Sequence, residues 1–260
     1  MLLKEIRNVL NHKVPEKYAE SWDHVGLVVG DENQDIRKVL IALDADDRAV
    51  QKAVDIGADL IVTHHPLLFH PLEHVTEQHF IGRRVREMVK HDIACYAMHT
   101  NFDKVGMADL NARELKLTDP EVLSVTDETE EGPMGFGRIG RLEKTVTLAE
   151  FARFVKKVYR LERIRVYGDP DAEIARAAVA SGSGRSSIPD AIEKGAQVIV
   201  TGDVDYHTAI DANAQGIFVI DAGHYGTEFG FIRYMAGRMK EWFPELEIVE
   251  QNIRQPYQIL

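Results

Sequence analysis

A chain of 260 residues can bury a sizeable core, as one large or two smaller domains. Its 45% apolar and 28% charged content is that of a soluble globular protein, and a net charge of −11 disfavours a sequence-independent grip on nucleic acid or an anionic membrane. The one cysteine, Cys95, lies in the apolar stretch 93–98, which leaves no disulfide frame and no thiolate metal site. The amino terminus meets charge at Lys4 and Glu5, nothing resembles a signal peptide or membrane span, and the expected compartment is the cytoplasm.

In chain order, the apolar run 39–43 is the first strand candidate. Asp44, Asp46 and Asp47 follow it and can orient ligands, although helix capping explains Asp46 or Asp47 equally well. Residues 47–54 read as a connecting helix with Ala49, Val50, Ala53 and Val54 on one face. The run 60–63 is a short buried strand closed by His64 and His65, and Pro66 forbids its simple continuation. Both imidazoles then stand where a parallel strand ends, the edge at which α/β folds place their chemistry. A pair of polar loop histidines is the plain alternative. A third strand over 94–98 leads to His99 and Asp103; an aspartate capping the next helix is the alternative reading of Asp103.

The second half echoes the first. Gly-Ala-Asp-Leu-Ile-Val-Thr at 57–63 returns as Gly-Ala-Gln-Val-Ile-Val-Thr at 195–201. Strand candidates at 177–180 and 217–220 match the flanking runs of the first half, and 188–194 supplies the connecting helix ending at Gly195. The expected fold class is α/β: two similar, pseudo-symmetric lobes, 1–126 and 127–260, with mainly parallel sheets and a metal site in the crevice between them. The acidic stretch 127–135 reads as a linker or exposed loop. It runs into Gly135-Phe136-Gly137-Arg138-Ile139-Gly140, which fits a dinucleotide fingerprint but lacks the strand before and the helix after that it requires. A capping box of Thr147 and Glu150 opens a helix only later. Ser181-Gly182-Ser183-Gly184 can cradle a phosphate on its amides or be a plain flexible turn.

After the last strand of the second half, a helix starting near His224 sets His224 and Glu228 at i and i+4 on one face. Phe229, Ile232, Met235, Ala236 and Met239 continue it as a buried, rigid stripe. With His64, His65 and Asp103 this makes five mixed nitrogen and oxygen ligands, too many for one open tetrahedral zinc, which takes three. They suit two divalent ions roughly 3.5–4 Å apart. Without thiolates the ligand set admits zinc, manganese, iron(II), cobalt or nickel.

The motifs His64-His65-Pro66-Leu67, Thr100-Asn101-Phe102-Asp103 and Gly223-His224-Tyr225-Gly226-Thr227-Glu228 resemble the NIF-three-like family, whose bacterial members are called GTP cyclohydrolase 1 type 2 homologues. Trp22-Asp23-His24-Val25-Gly26-Leu27, Gly137-Arg138-Ile139-Gly140 and 201–207 also match, so the resemblance spans nearly the whole chain and retires the dinucleotide reading. It implies a two-lobed fold, a dinuclear metal centre held by His64, His65, Asp103, His224 and Glu228 (with Glu228 as the bridge), and a ring-shaped homohexamer. Members often carry asparagine where this chain has His24, and longer ones carry an inserted regulatory-type domain for which the short linker leaves no room. The implied activity is a metal-dependent hydrolysis of a nucleotide or related small molecule, with His207 or His99 as proton shuttle near neutral pH. A place behind the ligands or on the surface is equally open to both histidines. The competing function is a non-catalytic metal-binding scaffold or metallochaperone ring. Nucleic-acid binding is disfavoured by charge.

Overall fold

In the computed structural model, which describes residues 1–252 and 255–258, the apolar runs singled out above are buried strands. The first unit begins with α1 (Leu3–Lys13), which buries Leu3, Ile6 and Leu10 at helical spacing. Then come β1 (Gly26–Val29), β2 (Lys38–Ala42), α2 (Asp47–Ile56), β3 (Leu60–Thr63), α3 (Phe80–Lys90), β4 (Ala94–Ala97) and the short α4 (Thr100–Phe102). Asp46 caps α2 by accepting from the Ala49 amide, and Gly57 ends it at φ 62°. Strands β2, β3 and β4 are parallel, and every residue of the central β3 is buried, as a strand with two covered faces requires. β1 lies antiparallel to β4 at one edge.

The second unit runs from Asp103 to Glu228. A π-helical turn over Asp103–Met107 leads into α5 (Ala108–Glu114), β5 (Thr118–Thr129), β6 (Gly132–Thr147), α6 (Leu148–Val158), β7 (Arg165–Tyr167) and β8 (Glu173–Val179). α7 (Ile188–Glu193), β9 (Val198–Thr201), α8 (Tyr206–Ala214), β10 (Phe218–Asp221) and α9 (His224–Glu228) complete it. The sheet order is β5-β6-β8-β9-β10-β7. Its core is a parallel trio, β8-β9-β10, that repeats the β2-β3-β4 trio in detail. After α7, Gly195 takes φ 72° where Gly57 takes 62° after α2, and the Ala196 amide donates to the Ala191 carbonyl as Ala58 donates to Ala53, both at 2.8 Å. The chain then returns to the first unit through α10 (Gly230–Trp242) and β11 (Glu247–Glu250), which pairs in parallel with β2. Among the described residues, no helix is long and apolar enough to cross a membrane.

Three expectations need correction. Parallel pairing dominates the first sheet, but in the second β5/β6, β6/β8 and β7/β10 are antiparallel. The stretch 127–135 is no linker: it is the tip of the β5–β6 hairpin, with Glu130 and Glu131 at the turn and Gly132 at φ 117°. Glu128, Glu130 and Glu131 are exposed there, whereas Asp127 pairs with the buried Lys104 at 2.9 Å. The chain therefore divides elsewhere than at residue 126: Met1–Phe102 belongs with the described residues from Phe229 onward, and Asp103–Glu228 forms the other unit.

The glycines of the dinucleotide-like pattern serve strand packing within β6. A Cβ on Gly135 would lie 1.9 Å from the Ser124 carbonyl oxygen of the paired β5. Gly135→Ala is expected to lower the urea midpoint of unfolding by an amount equivalent to about 1–3 kcal/mol, with an unchanged slope.

Candidate metal centre

The ends of β2, β3 and β4 fix the histidines of the first unit. Ladder bonds continue one step past the strands: the Met98 amide donates to the Thr63 carbonyl and the His65 amide to the Leu43 carbonyl, each at 2.9 Å. His64 is fully buried, and its Nδ1 lies 2.9 Å from the Met98 carbonyl oxygen. A carbonyl only accepts, so Nδ1 carries the proton and the lone pair of the neutral ring is at Nε2. His65 Nδ1 meets Asp44 Oδ1 at 2.8 Å, and His99 Nδ1 meets Asp23 Oδ1 at 3.0 Å. The three rings lie 4.9–5.5 Å apart between centroids, and one ligand atom from each lies within 4.8 Å of the others. Carboxylate or carbonyl partners on Nδ1 are the arrangement that orients imidazoles toward a metal.

Asp23 holds this edge together. Its carboxylate accepts from the Thr100 amide at 3.0 Å, from Thr100 Oγ1 at 2.5 Å, and from the His24 amide at 2.8 Å. Burial pushes its pKa up, but the hydrogen bonds from His99 and Thr100 outweigh that and hold it at about 2.

In the second unit, His224 opens α9 and Glu228 follows one turn later, with His224 Nε2 3.1 Å from Glu228 Oε2. That separation is close to the roughly 3.3 Å spanned by two ligands of a tetrahedral zinc. His224 Nδ1 is held at 2.8 Å by Asp203, which sits just past β9 in a left-handed conformation, φ 54°. Asp103 Oδ1 accepts from Ser181 Oγ at 3.1 Å. Gly182, at φ 60°, faces the pair so closely that a Cβ would come 2.4 Å from Glu228 Oε1 and 3.3 Å from the His224 ring. The Gly182 and Gly184 amides donate to Thr227 Oγ1 and Thr201 Oγ1, at 2.9 and 2.8 Å. They are committed to the fold, which replaces the phosphate-cradle reading of Ser181–Gly184 with that of a wall behind Asp103, His224 and Glu228.

His64, His65 and His99 are thus together in one unit, and His224 and Glu228 in the other. Asp103 and Glu228 are the first and last residues of the second unit, each one peptide bond from the first. His207 sits exposed in the first turn of α8, its ring edge-on to Tyr206 at 5.4 Å. Asp44 is an orienting carboxylate, as the sequence allows, whereas Asp46 caps a helix and Asp47 pairs with Arg83 and Arg84. Sequence reasoning singled out neither Asp23 nor Asp203 for this task. Asp203 was detectable as a charged residue two positions beyond a strand that echoes the His64–His65 strand.

The Duf34/NIF3 (NGG1p interacting factor 3) family profile matches residues 1–256. A Clostridium perfringens protein named GTP cyclohydrolase 1 type 2 homolog is 32% identical over 264 residues, covering 100% of both chains. A Streptomyces coelicolor protein of the same name is 36% identical over 246 residues, 92% of this chain and 86% of that one. Among solved structures, the Staphylococcus aureus hypothetical protein SA1388 is similar with TM-score 0.93 and 27% identity, covering 100% of this chain and 99% of that one. Reduced HcgD from Methanocaldococcus jannaschii is similar with TM-score 0.82 and 32% identity, over 96% and 97%.

Two outcomes follow from the geometry. Unfolded Asp23 titrates at its ordinary 3.8 and the folded group at about 2, so its stabilisation is complete above about pH 4 and fades as the pH drops toward 2. In metal-free protein Asp23→Asn is expected to cost on the order of 2 kcal/mol at pH 7 in urea unfolding, a gap that narrows through that acid window. Gly182→Ala is expected to push Glu228 aside and reduce bound metal, read by elemental analysis, while the far-ultraviolet circular dichroism stays native.

Proposed function

Because the chain belongs to the Duf34/NIF3 family, we propose that His64, His65, Asp103, His224 and Glu228 together hold a pair of divalent metal ions and that the protein is a metal-dependent hydrolase of a nucleotide or related small molecule. The observation that carries this reading is the common orientation of the imidazoles: each candidate ligand histidine has Nδ1 committed to a carbonyl or carboxylate acceptor, which leaves Nε2 as the donor atom for a metal. Asp103 and Glu228 bring negative charge to the ends of the second unit, where each is one bond from the first. In this reading Glu228 would be the bridging carboxylate.

When bound, such a pair of ions supplies hydroxide near neutral pH and polarises the bond under attack. The residues of the chain do the rest. Asp44, Asp203 and the Met98 carbonyl each hold a ring by Nδ1, so Nε2 is the atom turned to a metal. His99, held by the ionised Asp23, keeps its proton at Nδ1 and can take or give one at Nε2, the part of a proton shuttle. A nucleotide substrate is favoured by the name that the Clostridium perfringens and Streptomyces coelicolor relatives share. Assembly into a homohexamer is part of the same reading.

The direct check is metal content of protein purified without chelator, beside Glu228→Ala and His65→Ala. About two equivalents per chain are expected in the wild type, falling to about one or fewer in each variant, with hydrolysis of a nucleotide panel lost in parallel. Less than one equivalent after reconstitution with manganese, zinc or iron(II), or turnover unchanged in both variants, would sink the reading.

A further inference from the structure

Beside the histidines of the first unit the chain displays two large aromatic rings to solvent. Trp22 is 58% exposed and Phe69 is 49% exposed, and both lie against His99 in near-perpendicular contacts, at 6.0 and 5.9 Å between centroids. A single exposed aromatic on a soluble protein is ordinary. Two of them on the same imidazole, itself within ligand reach of His64 and His65, form a patch whose place asks for an explanation.

The turn under Trp22 is pinned. The Asp23 amide donates to the Glu20 carbonyl at 2.9 Å and closes a turn that carries Trp22. Both ends of that turn are pinned to Thr100: the Glu20 amide donates to Thr100 Oγ1 at 2.9 Å, and the Asp23 carboxylate accepts from the Thr100 amide and hydroxyl. A buried carboxylate with this many donors fixes the backbone on which the exposed indole stands. The backbone under Trp22 is therefore already ordered, which lowers the cost of binding on its ring.

We propose that Trp22 and Phe69 form a stacking surface for the planar heteroaromatic part of the substrate, delivering it beside His99. The inference rests on the hydrolase reading above and narrows its substrate to molecules with a flat, uncharged ring system. Stacking on aromatic faces is strong and tolerant of ring identity. The neighbouring carboxylates of Asp23 and Asp44 disfavour an anionic group at this spot and favour a neutral ring.

The test is equilibrium dialysis of guanosine, with ribose as control, against the full chain in metal-free and zinc-loaded forms, with metal content and native mass measured on each sample. Saturable guanosine binding without ribose binding is expected. Trp22→Leu and Phe69→Leu should each weaken it roughly five- to a hundred-fold, Trp22→Phe should retain most of it, and metal content should not change. Equal affinity in the Trp22→Leu/Phe69→Leu double variant, or no saturable guanosine binding by the wild type in either form, overturns the proposal. Intact guanosine binding with a changed native mass in the double variant also overturns it, because the rings would then be a contact between copies of the chain. Loss of metal by the wild type with guanosine binding intact counts against the metal reading alone and leaves the stacking surface standing.

Discussion

The bond from His64 Nδ1 to the Met98 carbonyl is the constraint on which the first unit's chemistry depends. A fully buried imidazole with an unmet donor costs about 1–3 kcal/mol, so the ring must find an acceptor inside the protein. It finds one because β3 and β4 are in parallel register from Leu60↔Ala94 to Thr63↔Ala97, which puts the first residue after β4 beside the first residue after β3. That register is set in turn by the crossover through α3 and by apolar runs that tolerate no slip. A local tautomer is thus decided by the topology of a whole sheet.

The other rings use carboxylates where His64 uses a carbonyl. Asp44, Asp23 and Asp203 reach His65, His99 and His224 from loops that leave the strand ends. The difference matters electrostatically. A carboxylate partner makes an imidazole more basic and a better donor to a cation, whereas a carbonyl orients it with less added charge. Asp103 and Glu228 are buried carboxylates, and burying negative charge is costly unless hydrogen bonds or a cation compensate. Ser181 donates such a hydrogen bond to Asp103, and a divalent ion would compensate further negative charge.

What the sequence made legible follows from its periodicities. Short, largely apolar runs read as buried strands, and the return of 57–63 at 195–201 pointed to the two parallel trios. His64, His65, His224 and Glu228 were legible because they stand at the ends of those runs or one helical turn apart. The β5–β6 hairpin was not, since an edge pair alternates in exposure, carries acid on its open face, and is broken by a register shift between Thr118 and Glu121 and by Pro120. Those are the marks by which loops are recognised. The return of the chain into the first unit was equally hidden: Glu247–Glu250 is only half apolar, and its pairing with β2 is a contact across some two hundred residues that no local pattern encodes.

The same return places a candidate ligand at each point where the chain changes unit. The peptide bonds 102–103 and 228–229 are where the chain leaves the first unit and re-enters it, and a candidate ligand sits on the far side of each. On the near side, Phe102 packs against Phe231 at 5.1 Å, and both rings pack on His64, at 6.2 and 5.4 Å. The aromatic group around the most buried histidine therefore contains the residue that precedes Asp103 and one that follows Glu228 by a single helical turn. A displacement of His64 has to move those rings, because a close-packed core transmits strain rather than absorbing it.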